Sequence, residues 1–199
     1  MTKKPVFQFK ITLLEIEPLI WRRIQISDQC TFWDLHVAIQ DAMGWTDSHL
    51  HQFKLPISPS KYKYVGIPGE KGEDFYPMIP GWKMKVSDHY KSTTNQKIFY
   101  LYDFGDKWEN LIEFEGEYEK TAEKYPICLS GERACPPEDV GSIQGYEDFL
   151  TAIKDPKHED HLRLLEWIGR KFDPEEFSAE NVKFSNSNIR LKKLFSYSG

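Results

Sequence analysis

The sequence predicts an α+β fold: a β-grasp-like mixed sheet with one crossing helix and a C-terminal helical layer. Three observations predict it. Residues 6–55 run strand, strand, helix, strand, which suits a sheet with a helix laid across it. Residues 97–114 add two more strand-like runs around Gly105. From residue 146 onward the apolar positions recur at helical spacing. The chain reads as a single domain, 1–199, with a sheet-rich part over 6–145 and a helical part over 146–195 packed on it.

Each element has its own signal. Phe7, Phe9, Ile11 and Leu13 repeat with period two, so 6–14 is a strand with one buried face. Glu17-Pro18 turns the chain, because the residue before proline avoids the helical region. Ile20 to Ile26 returns as a second strand. Thr31 caps a helix, with Asp34 three residues on completing a capping box. Leu35, Ala38, Ile39, Ala42 and Met43 form its apolar stripe, and Gly44 ends it. His49 to Leu55 is a third strand. Residues 56–96 lose periodicity and carry many prolines and glycines, so they read as one long loop. Tyr62, Tyr64, Phe75, Tyr76 and Trp82 argue that it packs down in part. Lys97 to Tyr102 is a central strand, and Trp108 to Phe114 pairs back across Gly105. Residues 125–145 read as irregular. Helices follow around Tyr146–Ile153 and Leu162–Ile168, after Asp173-Pro174, and from about Asn188 to Phe195.

Composition narrows the function classes. The net charge is −5, which disfavours neutralising many phosphates, so a nucleic-acid partner is not expected. Arg190, Lys192 and Lys193 form the basic cluster near the C-terminus and read as a solvated helix face. The 3 cysteines do not resemble a secreted disulfide framework. No apolar run approaches a membrane span, and residues 6–14 lack a signal-peptide core. A cytoplasmic, soluble setting without membrane contact is the expectation.

Four features could carry chemistry. Arg22 shares a strand face with Ile20, Ile24 and Ile26, so it points inward and needs a partner. Asp103, Asp106, Glu138 and Asp139 are the carboxylates offered to it, as a structural ion pair or around an anion gripped by the arginine fork. His49 and His51 fall on one strand face, and with Cys128 and Cys135 they could complete a Cys₂His₂ metal site. The six residues between the two cysteines exceed the usual two to four, so hydrogen-bonded core histidines and reduced thiols are the plainer reading. The stretch Gly131 to Gly141 is a rigid frame of two prolines between glycines, presenting Cys135, Glu138 and Asp139. A nucleophilic Cys135 would need a histidine base beside it. His36 lies beside the helix stripe, and Trp108 is offered as a pocket wall. The sequence contains no Walker loop, no G-x-G-x-x-G, no H-E-x-x-H, no C-x-x-C and no G-x-S-x-G.

Three segments together resemble one family. They are Pro18 to Arg23 with Leu35-His36, Gly44-Trp45 and His49 to His51; then Tyr102 to Trp108; then Tyr125 to Cys128 with Gly131 to Gly141 and Gly145-Tyr146. This pattern, over residues 6–182, is similar to the plasmid pRiA ORF-three-like family, also labelled insertion-element passenger TnpR-like. The resemblance implies no established activity. The label hints at a resolvase, and the chain has neither a basic DNA-binding segment nor a recognisable serine nucleophile motif. The resemblance implies two departures: many relatives carry histidine where this chain has Asn110, and they often have a Gly-Gly pair where it has Gly141-Ser142.

The expected function is therefore a binding or interaction module rather than an enzyme, for an unknown partner protein or a small anionic ligand. Its site gathers Arg22, His36, Asp103, Asp106, Trp108, Glu138 and Asp139, with no cofactor required. The alternative is a metal-dependent hydrolase or nuclease, with zinc or another divalent metal on His49, His51 and nearby carboxylates. A third reading is nucleic-acid binding linked to mobile elements.

Overall fold

A computed structural model describes residues 5–69 and 76–196; Gly72 and Phe75 lie outside them. The chain is mixed α+β. Eight strands form one mixed sheet: β1 (Val6–Leu13), β2 (Ile20–Ser27), β3 (His51–Ser58), β4 (Lys61–Gly66), β5 (Met78–Pro80), β6 (Lys97–Tyr102), β7 (Trp108–Tyr118) and β8 (Ile127–Glu132). Their order is β5-β4-β3-β6-β7-β1-β2-β8. Every described pairing is antiparallel except β4 with β5. The helices are α1 (Phe32–Met43), α2 (Val86–Tyr90), α3 (Ser142–Lys154), α4 (His161–Ile168) and α5 (Ser187–Ser196). None is long and apolar enough to cross a membrane.

The predicted alternation in β1 holds: Phe7, Phe9, Ile11 and Leu13 are all buried. Ile20 and Ile24 of β2 join them, and burying each such side chain stabilises by about 1.5–3 kcal/mol. The opposite face of the β1–β2–β7 centre is polar but closed. Gln8 donates to Glu115 at 2.7 Å, Gln25 donates to Gln8 at 2.9 Å, and Arg23 grips Glu115 through two hydrogen bonds.

Helix α1 begins and ends as its sequence dictates. The Thr31 hydroxyl accepts from the Asp34 amide at 3.1 Å, and the Asp34 carboxylate accepts from the Thr31 amide at 2.7 Å. Gly44 takes the left-handed conformation with φ 88° and closes the last turn. The helix is buried nearly all round, not only along its stripe. The C-terminal segment covers its outer side: the Trp33 indole donates to the Ser187 carbonyl at 2.8 Å, Ser187 donates to Asp34, and Ser185 donates to Asp41.

Four expectations are corrected. His49 precedes β3 rather than opening it, so it does not share a strand face with His51. The region 56–96 is not one loop: it contains β4, β5, a 3-10 turn at Gly81–Lys83 and α2. Residues 127–132 form the edge strand β8. Pro174 sits in a turn, not at a helix start; the Asp173 carboxylate accepts from the Glu175 amide at 3.0 Å and bends the chain there.

Candidate functional site

Three loops meet at one end of the sheet. They connect α1 to β3 (residues 44–50), β6 to β7 (103–107) and β8 to α3 (133–141). Strand register forces the first two together, because His51 of β3 pairs with Tyr102 of β6, which pairs with Trp108 of β7. The third loop is tied to both. Trp45 donates to the Pro136 carbonyl at 3.1 Å. Glu138 accepts from the Thr46 amide at 2.6 Å and from the Tyr102 hydroxyl at 2.9 Å. The Gly141 amide donates to Asp106 at 3.0 Å.

His49 stands where the loops converge. Its Nε2 lies 2.8 Å from Asp139 Oδ1 and 3.7 Å from Asp103 Oδ2. One ligand atom from each of the three residues lies within 4.8 Å of the others. Both aspartates sit in the left-handed region, Asp103 at φ 56° and Asp139 at φ 59°. That conformation is disfavoured for a residue with a Cβ, and aspartate tolerates it better than most. Asp103 gains a compensating bond, accepting from the Gly105 amide at 2.8 Å. The Asp139 side chain is 67 % exposed, so the cluster opens to solvent on that side. Asp139 also borders a cleft of about 670 Å³ between the end of α1, residues 134–139 and the segment 167–183. Arg170, Lys171 and Lys183 also line it.

A second histidine cluster lies behind the first. His36 and His51 are buried and stack with centroids 3.5 Å apart and planes 6° from parallel. His36 Nε2 meets Asp47 Oδ1 at 2.8 Å, and His36 Nδ1 meets the Tyr100 hydroxyl at 2.9 Å. Gln40 holds both partners in place, donating to Tyr100 at 2.9 Å and accepting from the Asp47 amide at 2.9 Å. Burial pushes the pKa of His36 down and that of His51 well down, so both rings are held neutral.

Arg22 points inward as predicted, but no carboxylate among the described residues meets it. Its guanidinium donates to four carbonyls, those of Trp21, Ala42, Glu132 and Arg133, each at 2.8 Å. Ala42 is in the last turn of α1, whose carbonyls have no partners within the helix and whose dipole favours a cation. The Phe177 ring lies over the guanidinium with its centroid 3.8 Å from Cζ. Gly131 makes this closeness possible. A Cβ there would fall 2.6 Å from both Phe177 and the Trp21 carbonyl.

The remaining predicted residues divide. Asp103 and Asp139 come together with His49, Asp106 and Glu138 tie the surrounding loops, and Arg22 lines the cleft. Trp108 is a core residue with 1 % exposure, not a pocket wall. The proposed grouping of His49, His51, Cys128 and Cys135 does not form among the described residues. Cys135 is buried beside Arg22, and burial pushes its thiol up to about 12, which disfavours the thiolate that a nucleophile needs. Arg190, read as part of a solvated face, instead ion-pairs with Asp41 and reaches Asp47 Oδ2 at 3.6 Å. Sequence reasoning missed Asp47, Tyr100 and Gln40. Asp47 stood midway between Trp45 and His49 inside a motif segment, and an acidic residue so placed was the available signal.

Fold and site together define the class: an α+β protein with a histidine–carboxylate centre built by loops at one end of a mixed sheet. Residues 5–181 match the plasmid pRiA4b ORF-3-like protein family, and the chain belongs to that family. It is 34 % identical over 189 residues to an uncharacterized protein, y4hQ, of Sinorhizobium fredii, covering 95 % of this chain and 92 % of that one. It is also similar to the crystal structure of a protein of unknown function, MM3350, from Methanosarcina mazei Go1. The identity is 38 % and the TM-score 0.81, over 92 % of this chain and all of that one.

Proposed function

We propose that the protein is a cytoplasmic, single-domain binding module, residues 1–199, whose site is a divalent cation held by His49, Asp103 and Asp139. The β-grasp-like reading of the sheet belongs to this proposal, with the loops gathered at one end as the binding edge. The observation that carries it is the meeting of three ligand atoms, from three loops far apart in sequence, within 4.8 Å at a position open to solvent. One imidazole and two carboxylates suit a hard or borderline dication such as Mn²⁺ or Zn²⁺. The open side leaves coordination positions for an outside ligand. A small anion fits there, because the cation would take over the gripping role that Arg22 cannot fill while its guanidinium bonds four carbonyls. Asp106 and Glu138 hold the loops in place rather than touching the ion.

Calorimetric titration of tag-free protein with Mn²⁺ or Zn²⁺ alone tests this reading. About one cation per chain at the outer centre, lost in His49→Ala and in Asp103→Asn, supports it. Titrations unchanged by both substitutions would overturn it.

A second reading, metal-dependent hydrolysis, is favoured by one observation. Asp139 belongs both to the cluster and to the lining of the cleft that Arg170, Lys171 and Lys183 share. A water on the cation could attack an ester whose anionic part lies along those cations. Cation-dependent cleavage of a chromogenic phosphodiester, lost in His49→Ala, is the check. No turnover despite measured cation binding leaves the binding module alone.

A further inference from the structure

We propose that His36, Asp47 and His51 form a separate, buried site for a transition-metal cation of the Zn²⁺ class. One ligand atom from each lies within 4.8 Å of the other two. The decisive observation is His51. It is 1 % exposed, and among the described residues neither of its ring nitrogens has a hydrogen-bond partner. A buried imidazole without a partner forfeits hydrogen bonds it would have in water, and native interiors rarely leave that uncorrected. A structural role as a stacking platform would be met by phenylalanine with no such loss. The imidazole is explained if one of its lone pairs is used.

The surroundings fit a cation. Both rings are neutral, the form that ligates metal. Tyr100 stands behind His36 as the outer hydrogen-bond partner that orients a metal-bound imidazole. In the present arrangement His36 Nε2–H donates to Asp47 and Nδ1 accepts from Tyr100. On loading, the ring takes the other tautomer: Nε2 turns its lone pair to the metal, and Nδ1–H donates to Tyr100. No proton leaves the site. Asp47 is held at φ 60°, which presents its carboxylate to the rings. A cavity of about 370 Å³ reaches Asp47, and Trp33 and Arg190 border it on the way.

The stack must shift to bind. With parallel rings 3.5 Å apart, a shared ion would lie off both ring planes by about half that spacing, where the nitrogen lone pairs do not point. His51 is the ring with no hydrogen bond to hold it, so it is the one that turns. Arg190, 3.6 Å from Asp47 Oδ2, offsets the carboxylate charge in the meantime and must yield to the incoming cation.

The test is a Zn²⁺ titration of chelator-treated, then buffer-exchanged, full-length protein by calorimetry, with Co²⁺ visible absorption as a second readout. The inference does not rest on the outer centre, and the variants separate the two. Expected are one equivalent that survives in His49→Ala and disappears in His51→Phe, and a tetrahedral-type Co²⁺ spectrum in wild type and His49→Ala. Tyr100→Phe should weaken that equivalent by about 10- to 100-fold, and Arg190→Ala should tighten it. If His51→Phe binds as wild type does, or if His49→Ala gives neither Zn²⁺ binding nor a Co²⁺ spectrum, the inner site does not exist and the stack is structural. Should His51→Phe fail to fold, the His49→Ala protein and its Co²⁺ spectrum decide alone.

Discussion

The loop from Arg133 to Gly141 and the strand end before it serve two neighbourhoods built on opposite electrostatic plans. On one side, the carbonyls of Glu132 and Arg133 converge with those of Trp21 and Ala42 on a single buried cation, Arg22. Every acceptor there has its donor. On the other side, Asp139 joins Asp103 around one imidazole, with oxygens left over and solvent at the door. The filled centre has no capacity to take anything from outside, so its role is to fix α1, β2 and β8 relative to one another. The under-filled centre adds little to that rigidity and has capacity to spare. Stability and the proposed binding are thus separated by a few residues of one loop, and each can be attacked without the other.

The largest effect should come from the filled side. Arg22→Ala removes one guanidinium and leaves four carbonyls, two of them in buried contacts, without their donor; a loss of about 3–5 kcal/mol is expected, read by urea unfolding. A loss below about 1 kcal/mol would mean that water replaces the guanidinium and that the centre is not the tie it looks to be. Acid should come next. His51, His36 and His89 have folded pKa values pushed below the ordinary one, by burial first in each case, and His89 falls to about 4 with Lys63 adding to the effect. The unfolded chain therefore binds protons that the folded one refuses. Stability is complete above pH 6.5 and declines as pH falls through the window down to about 4, each group adding up to about 1.4 kcal/mol per pH unit. Thermal scans across this range should show it, and His89→Gln should flatten the slope.

On the under-filled side the stability effects should be small. His49→Ala removes a partly exposed histidine–carboxylate contact, so a change within about 1 kcal/mol is expected, together with loss of the outer cation. A change of several kcal/mol would mean that the two sides are one cooperative unit. The smallest effect is expected to be a gain. Ser142, at φ 66°, is a residue with a Cβ held in the left-handed region. Ser142→Gly should relieve the left-handed strain and stabilise by about 1 kcal/mol, with cation binding unchanged.

Much of the framework was legible. The Thr31–Asp34 box, the Gly44 stop, the β1 alternation and the inward face of Arg22 all follow from short-range rules that the chain obeys. What escaped has physical reasons. In β4 the lysines and tyrosines are mostly exposed and burial begins at Val65, so no one-sided pattern announces a strand. Strand β8 is an edge strand with no fully buried position, and reads as loop for the same cause. Arg22 was matched to carboxylates because side chains are what a sequence displays; the carbonyls that receive it belong to every residue alike and leave no mark. His49 was assigned to a strand two residues early, which paired it with His51 and hid both true groupings. Convergence of the three loops depends on the His51–Tyr102–Trp108 register, a long-range fact that no local pattern carries.

The family match ends at residue 181, yet α5 and the turn before it close over the outside of α1. From there Arg190 reaches Asp41 and Asp47. That short tail packs over Trp33 and the Asp47 partner of His36. In any relative whose chain stops where the match stops, Trp33 and Asp47 would lose that cover. Chain length at this one end would then set how far the His36–Asp47 pair is shielded from water, with every histidine and aspartate unchanged.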